Sequence, residues 1–306
     1  MDYYHTPSTV DEALTIAGKL SGNYTFFAGG TDIQNYRKQQ LDTNEYVIDL
    51  SEIEELDSIT IVDGALHLGA MTTLDKIVSS DEIQNHYPII AEAAKTVATP
   101  VLRKTATIGG NLLVTNRCTF YNQSQEWRDG VGSCLRDVGD ICQVTGGKND
   151  CYSRNVSDTA TALIVLGAEI TLMTPNGIIQ KSLKDIYLPC GIKFHDLEER
   201  CILTQISVPI EPKKWWYKKL RLRKTLDFTS LTVAATIDTA GIARVCLNGV
   251  SMSPILIEKP LKELTLEGLI SIARKNCKTV DNDLMPLKYR REMINVYLKE
   301  WWKSFR

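Results

Sequence analysis

Apolar and polar positions alternate in short runs over the first 70 residues, which predicts strands rather than long helices. The clearest runs are Tyr24–Ala28 and Tyr46–Leu50. Ile59–Val62 and Ala65–Leu68 flank an Asp-Gly pair, a strong local signal for a β-hairpin. The pattern therefore predicts that this part of the chain contributes to sheets.

Helical periodicity occurs between and after these runs. Tyr4 begins a short predicted strand, and Ser8 or Thr9 can then cap a helix whose apolar face holds Val10 and Leu14. Further helices are predicted at residues 73–78, 89–96, 160–166, 265–276 and 286–302.

The second half of the chain is richer in strands, at residues 202–210, 215–222, 232–238 and 243–249. An earlier strand, Glu169–Met173, ends at a Pro175-Asn176-Gly177 turn. We place a domain boundary at this turn. The pattern thus predicts an α+β protein with two domains, residues 1–176 and 177–306.

Composition narrows the class of protein. Of 306 residues, 43% are hydrophobic and 24% charged, with a formal net charge of −2, which is ordinary for a globular protein and shows no basic excess for nucleic acid. No apolar run approaches the roughly 20 residues that span a bilayer. The first 14 residues lack the basic and apolar regions of a secretory signal. We expect a cytoplasmic protein with no membrane span and no nucleic-acid partner.

Two glycine pairs are candidates for cofactor binding. One lies in Ala28–Asp32, between a predicted strand and a predicted helix, and the other in Ile108–Asn111, in a predicted loop. Paired glycines let a backbone approach a pyrophosphate, and their N–H groups can point at its oxygens. Thr31 and Asn111 can add side-chain hydrogen bonds. Neither segment is a G-x-G-x-x-G fingerprint or a P-loop, and each alone also fits a simple tight turn.

Further landmarks flank the glycine pairs in a characteristic order. They are a Tyr4-x-x-Pro7 start, Ser157-Asp158 before a helix, and Tyr217–Arg223 before Asp227-Phe228. Together with the glycine pairs they resemble the FAD-binding (medium) subunits of molybdenum hydroxylases, of the xanthine dehydrogenase and carbon monoxide dehydrogenase type. The resemblance runs almost end to end. It implies a two-lobed FAD-binding domain of the vanillyl-alcohol-oxidase-like (PCMH) type and a smaller α+β C-terminal domain.

The resemblance also implies which residues hold FAD. Its pyrophosphate would lie against two sets of residues: Ala28, Gly29, Gly30, Thr31, Asp32 and Ile33, and Ile108, Gly109, Gly110 and Asn111. Thr115 and Asp158 would contact the cofactor, and Lys218 would approach the isoalloxazine. Lys219 and Lys224 are near enough in sequence for this register to slip, and Lys218 also fits a solvated charge on an edge strand.

Four of the eight cysteines lie in an irregular insert of about 40 residues, 117–157. They are Cys118, Cys134, Cys142 and Cys151. Clustered thiols in a chain without an export signal indicate a metal site more than disulfides. Four thiolates suffice for zinc or for an iron–sulfur cluster. Their wide spacing is unlike a C-x2-C zinc knuckle, although zinc and free or disulfide-paired thiols remain alternatives. Because the insert has little hydrophobic periodicity, a metal centre would be needed to order it.

The segment Asn116–Gln123, with the three later cysteines, resembles one branch of the family, the FAD subunit of 4-hydroxybenzoyl-CoA reductase. That resemblance implies a [4Fe–4S] cluster on the four clustered cysteines. The remaining cysteines are scattered, and we expect them to behave as small buried hydrophobes. They are Cys190, Cys201, Cys246 and Cys277.

We therefore expect an electron-transfer subunit that carries FAD and a [4Fe–4S] cluster. No Ser-His-Asp or His-Glu-x-x-His pattern is present, so substrate chemistry is expected elsewhere. By resemblance, the partners are a large molybdenum-cofactor subunit, a small [2Fe–2S] subunit and a ferredoxin-like carrier. One alternative is the FAD subunit of a purine, nicotinate or other heterocycle hydroxylase. Another, of a different class, is a zinc-stabilised binding module with vestigial flavin loops.

Overall fold

The computed structural model of the chain describes residues 3–209, 212 and 214–305. It is an α+β fold with three sheets and three apolar cores. The strands are β1 (Tyr4–His5), β2 (Tyr24–Phe27), β3 (Tyr46–Asp49), β4 (Ile59–Val62), β5 (Ala65–Gly69), β6 (Glu169–Thr174), β7 (Gly177–Ser182), β8 (Ile202–Val208), β9 (Lys214–Leu220), β10 (Leu231–Ile237), β11 (Ile242–Asn248) and β12 (Ile255–Pro260). The helices are α1 (Val10–Lys19), α2 (Ile33–Lys38), α3 (Leu74–Ser79), α4 (Asp81–His86), α5 (Pro88–Lys95), α6 (Pro100–Arg103), α7 (Ile108–Leu112), α8 (Gln125–Val131), α9 (Asp158–Val165), α10 (Leu266–Asn276) and α11 (Leu287–Ser304).

The first lobe is a parallel three-stranded sheet in the order β1-β3-β2, covered by α1. The predicted start of α1 is confirmed, since the Thr9 side chain accepts a hydrogen bond from the backbone N–H of Glu12. Val10 and Leu14 are buried in the core of this lobe. The apolar face read from the sequence is thus the face that packs.

The second lobe is an antiparallel sheet in the order β4-β5-β8-β6-β7. The predicted hairpin is confirmed: Asp63 and Gly64 both have positive φ, 51° and 79°, as a two-residue type I′ turn requires. The boundary predicted near residue 176 falls inside the β6–β7 hairpin, and β8 pairs with both β5 and β6. We therefore place the boundary after Val208. A Pro-Asn-Gly turn has the same sequence signature inside a domain as between domains.

The C-terminal domain is an antiparallel sheet in the order β12-β11-β10-β9, packed on α10 and α11. Its predicted strands and helices are confirmed to within two residues. The strand predicted at 202–210 ends at Val208, and Ile210 lies outside the described residues. Strand β12 was not predicted, because prolines at both ends favour an irregular segment. Within the described ranges, no helix has the length and apolar content to cross a membrane.

Helix α9 joins the domains. All eight of its residues are buried, because it packs on α5 on one side and on β10 and β11 on the other. Its burial on every face, polar residues included, places it inside the protein. Its first residue, Asp158, consequently lies where the lobes and the C-terminal domain meet.

Candidate functional site

A cavity of about 630 Å³ lies where the β2–α2 loop, α7 and the segment 226–228 come together. Its walls include eleven of the thirteen residues predicted to bind a cofactor. They are Ala28, Gly29, Gly30, Thr31, Asp32, Ile33, Gly109, Gly110, Asn111, Thr115 and Asp158. The two others, Ile108 and Lys218, do not line it. Residues that are far apart in sequence are thus brought to one site.

The β2–α2 loop offers free hydrogen-bond donors to this cavity. Among the described residues, no protein group accepts from the backbone N–H of Gly29, Gly30, Thr31 or Asp32. Gly30 has a φ of 68°, a conformation that favours glycine. At Gly29 a Cβ would lie 1.9 Å from the carbonyl oxygen of Thr105. Unpaired amides that line a cavity are suited to an anionic group such as a pyrophosphate.

The second glycine pair lies in the short helix α7, not in the predicted loop. Its amides are already used: Gly110 N–H donates to the Thr107 hydroxyl at 3.1 Å and Gly109 N–H to the Ala70 carbonyl at 2.9 Å. The side chain of Ile108 is fully buried in the second-lobe core and does not line the cavity, so its contact with a cofactor stays a prediction. This segment therefore contributes close approach at the exposed Gly110 rather than free donors.

The side chain of Asn111 links two helices of the protein. Its side-chain oxygen accepts from the Thr159 hydroxyl at 2.6 Å and from the Ser157 hydroxyl at 3.1 Å. These bonds tie α7 to the start of α9. The side-chain oxygen is thus occupied within the protein, and the predicted hydrogen bond to a cofactor would have to come from the amide nitrogen.

One residue of the cavity wall, Asp158, belongs to a buried ion pair. Asp158 Oδ2 lies 2.5 Å from Lys219 Nζ, and the two side chains are 4% and 2% exposed. Thr232 donates to the other carboxylate oxygen at 3.1 Å. Burial raises the pKa of Asp158 and lowers the pKa of Lys219, and their contact opposes both shifts.

Lys218, predicted to approach the isoalloxazine, lies outside the cavity wall. Its ammonium pairs with Glu300 at 2.6 Å, and the side chain is 47% exposed. Successive residues of a strand point to opposite faces, so the neighbouring Lys219 is buried against Asp158 instead. The contact of Lys218 with a flavin stays a prediction.

Arg117, which sequence reasoning did not assign to the site, lines the same cavity. Its guanidinium stacks 4.1 Å from the centre of the Phe228 ring and donates to the Tyr36 hydroxyl at 3.0 Å. Asp32 lies 3.9 Å away, and although burial raises the pKa of this carboxyl, Arg117 opposes the shift. The predicted residue Thr115 also donates to the Tyr36 hydroxyl, at 2.8 Å. These are long-range contacts that carry no local sequence signal.

Two strained residues meet at the cavity wall. Ala98 and Leu226 have positive φ values of 46° and 55°, which are uncommon for residues other than glycine. Leu226 N–H donates to the Ala98 carbonyl at 3.3 Å. This contact joins the segment before Phe228 to the part of the chain that holds the first two lobes, and it closes one side of the cavity.

The cysteine insert is a closed loop. Its ends are joined by two backbone hydrogen bonds between Arg117 and Arg154, at 2.8 and 2.9 Å. It is irregular as predicted, except for α8. Arg128 anchors it: the guanidinium pairs with Asp137 at 3.2 Å and donates to the Gln39 carbonyl, beyond α2, at 3.0 Å.

All four insert cysteines line one narrow cavity, whose walls also hold Phe120, Tyr121 and Arg136. Each of the four is a free thiol, and burial raises the pKa of Cys118 and of Cys151. Within the described part of the chain, no group of three or more histidine, cysteine, aspartate or glutamate side chains is arranged to hold a metal ion. The thiols therefore surround a common space without converging on a point.

The two neighbouring lysines of β9 make a matched test of the buried pair. Lys219→Met leaves the Asp158 carboxylate buried without its partner, which should lower the free energy of unfolding by about 3 kcal/mol or more. Lys218→Met breaks an exposed pair and should cost under about 1 kcal/mol. Urea unfolding of both variants measures the difference.

The stability lost in Lys219→Met should change with pH in a definite direction. A carboxyl whose folded-state pKa is raised stabilises the fold while protonated, and this stabilisation is lost as the pH rises through that pKa. The deficit of Lys219→Met against the unaltered protein should therefore grow as the pH rises above the ordinary aspartate pKa of about 4. A constant deficit would show that Asp158 is not the group left unpaired.

Comparisons with known proteins agree with this site. Residues 1–211 match the family described as the FAD binding domain in molybdopterin dehydrogenase. The chain is 31% identical over 267 residues to the aldehyde oxidoreductase FAD-binding subunit PaoB of Escherichia coli, covering 83% of each. It is 23% identical over 314 residues to the nicotinate dehydrogenase FAD-subunit of Eubacterium barkeri, covering 97% of this chain and 93% of the relative. A carbon monoxide dehydrogenase chain from Hydrogenophaga pseudoflava has the same fold, with a TM-score of 0.75, 23% identity and coverage of 97% and 94%.

Proposed function

This chain belongs to the family of FAD-binding subunits of molybdopterin dehydrogenases, and from that premise we propose that it carries both FAD and a [4Fe–4S] cluster in a complex of the 4-hydroxybenzoyl-CoA reductase type. Its partners in this proposal are a large subunit with the molybdenum cofactor, a small subunit with [2Fe–2S] clusters and a ferredoxin-like carrier. Bound FAD can exchange one or two electrons and a [4Fe–4S] cluster one, which suits a subunit that relays electrons between the carrier and the molybdenum site.

One observation carries this proposal: consecutive residues line the two cavities. Arg117 lies in the wall of the flavin-sized cavity and Cys118 in the wall of the cysteine cavity. The two sites are therefore adjacent through a single peptide link. This adjacency supports electron transfer between groups bound in them.

Four thiols line one cavity, and that is the ligand number of a zinc ion or of a [4Fe–4S] cluster. A zinc ion needs all its thiolates at about 2.3 Å from one point, and the described residues hold no such arrangement. In a cluster each thiolate binds a different iron, so the sulfurs stand further apart. The free space between the cysteines is about 10 Å³, so binding requires the cysteine-bearing turns to open. An insert without a core of its own can do this at small cost.

The protein's own groups account for cofactor binding and not for substrate chemistry. The unpaired amides of Gly29–Asp32 can hold the pyrophosphate. Asp158, which Lys219 holds in place, presents a fixed polar group at the cavity wall. We infer that the organic substrate reacts on the large subunit.

Expression of the chain without its partners tests the division of labour. Purified anaerobically, it should bind about one FAD and hold about four irons. After reduction by a limiting amount of a chemical reductant it should pass the electrons to artificial dyes, yet it should turn over no aromatic or heterocyclic substrate. Visible spectra with iron, zinc and sulfide analysis check the cofactors. Full substrate turnover by the isolated chain would contradict the proposal, and zinc in place of iron would support the zinc-stabilised module.

A second candidate is the flavin subunit of a purine, nicotinate or other heterocycle hydroxylase, favoured by the similarity to the nicotinate dehydrogenase subunit. The assembled complex separates the two. Oxidation of a heterocycle with a dye as acceptor would support this candidate. Reduction of an aromatic CoA thioester by a low-potential donor would support the first.

A further inference from the structure

Arg136 is a cation without a carboxylate partner. Its guanidinium carbon lies 4.2 Å from the centre of the Tyr121 ring and 5.1 Å from that of Phe194. One guanidinium nitrogen donates to the backbone carbonyl of Asn116. Among the described residues, no carboxylate lies within ion-pair distance of it. Two aromatic faces and one neutral carbonyl leave its charge uncompensated.

Arg128, another arginine of the insert, differs from Arg136 in having a carboxylate partner. Arg128 has Asp137 as a counter-ion at 3.2 Å, whereas Arg136 faces the cavity that the four cysteines line. Arg136 is half-buried, so its charge is only partly hydrated and a nearby anion would stabilise it. The groups near Arg136 that can become anions are thiols and phenols, with Cys118 and Cys151 among them.

We propose that Arg136 is the counter-ion of an anionic metal–thiolate group in the cysteine cavity and that it sets the reduction potential of that group. This inference rests on the proposed function and adds a residue that holds no metal. A cluster with four thiolate ligands carries net negative charge, and each added electron increases it. A fixed positive charge at the cavity wall therefore stabilises the reduced form more than the oxidised form.

A structural role is the competing explanation. Arg136 also joins the insert to Phe194, which lies outside it, and to the carbonyl beside Arg117. If that is its only task, its removal would loosen the insert without a specific effect on potential. Charge and contact are separable, because lysine keeps the charge but loses the planar stacking, and glutamine can keep a hydrogen bond but loses the charge.

The test is a redox titration followed by electron paramagnetic resonance on the assembled complex, with iron and sulfide counted in each sample. Arg136→Gln should retain iron and shift the reduction equilibrium about tenfold toward the oxidised form, which is about 59 mV to lower potential for one electron. Arg136→Lys should stay near the unaltered protein. Lys148→Gln, which removes an exposed cation of the insert, should shift the potential little because water and salt screen that charge.

The outcomes distinguish this inference from the proposed function. Absence of iron from the unaltered complex overturns the cluster and this inference with it. Full iron with equal potentials in all variants overturns the role of Arg136 alone. Loss of iron in both Arg136 variants also overturns it, because a conserved charge would then not suffice. Loss of iron in Arg136→Gln, together with full iron and a normal potential in Arg136→Lys, supports the role of Arg136.

Discussion

Replacing Cys134 with alanine should remove about four irons per chain and leave FAD in place. A [4Fe–4S] cluster needs four thiolates, and Cys134 shares its cavity with the three other insert cysteines. The insert should also lose order, because its sequence has little hydrophobic periodicity and a bound metal centre would help to hold it. Iron and sulfide analysis, with limited proteolysis of the insert, measures both effects.

Transfer from a ferredoxin-like donor should slow greatly in Cys134→Ala, whereas dyes that reach the flavin directly should still react. Cys277 provides the matched control, because it packs against the core of the C-terminal domain. Cys277→Ala should keep its iron. The ligand assignment fails if Cys134→Ala retains about four irons while Cys277→Ala loses them.

Loss of FAD with retention of the fold is the expected result for Gly110→Asp. Gly110 is exposed and lines the flavin-sized cavity. A carboxylate about 4 Å from a pyrophosphate costs about 4 kcal/mol at an effective dielectric of 20, which is roughly a thousandfold in affinity. FAD content after purification and a flavin titration of the apoprotein measure the loss.

Gly110→Ala separates charge from size. A Cβ at this position meets only the Thr107 hydroxyl, at 3.0 Å, so the alanine variant should lose far less FAD than the aspartate variant. Gly29→Ala should behave differently from Gly110→Ala. Its Cβ would collide with the backbone of Thr105, so this variant should disturb the fold. Normal FAD content in Gly110→Asp would remove this segment from the binding site.

Positions of local elements follow from the sequence. The hairpin at Asp63-Gly64, the cap at Thr9 and the four strands of β8 to β11 were predictable because turn chemistry and period-two alternation depend on neighbouring residues. Elements without such signals were missed, including α4, α6 and β12. The domain boundary was misplaced for a related reason, since a hairpin turn and a linker look alike in one dimension.

Segments that line the two cavities could be predicted from the sequence: they hold the two glycine pairs, Asp158 and the four cysteines of the insert. Which of their atoms remain available could not. The folded chain leaves the amides of Gly29–Asp32 unpaired while α7 uses its own, and it buries Lys219 against Asp158 while Lys218 lies at the surface. Availability of a donor or a charge depends on contacts between residues distant in the chain, and those contacts leave no mark on local periodicity.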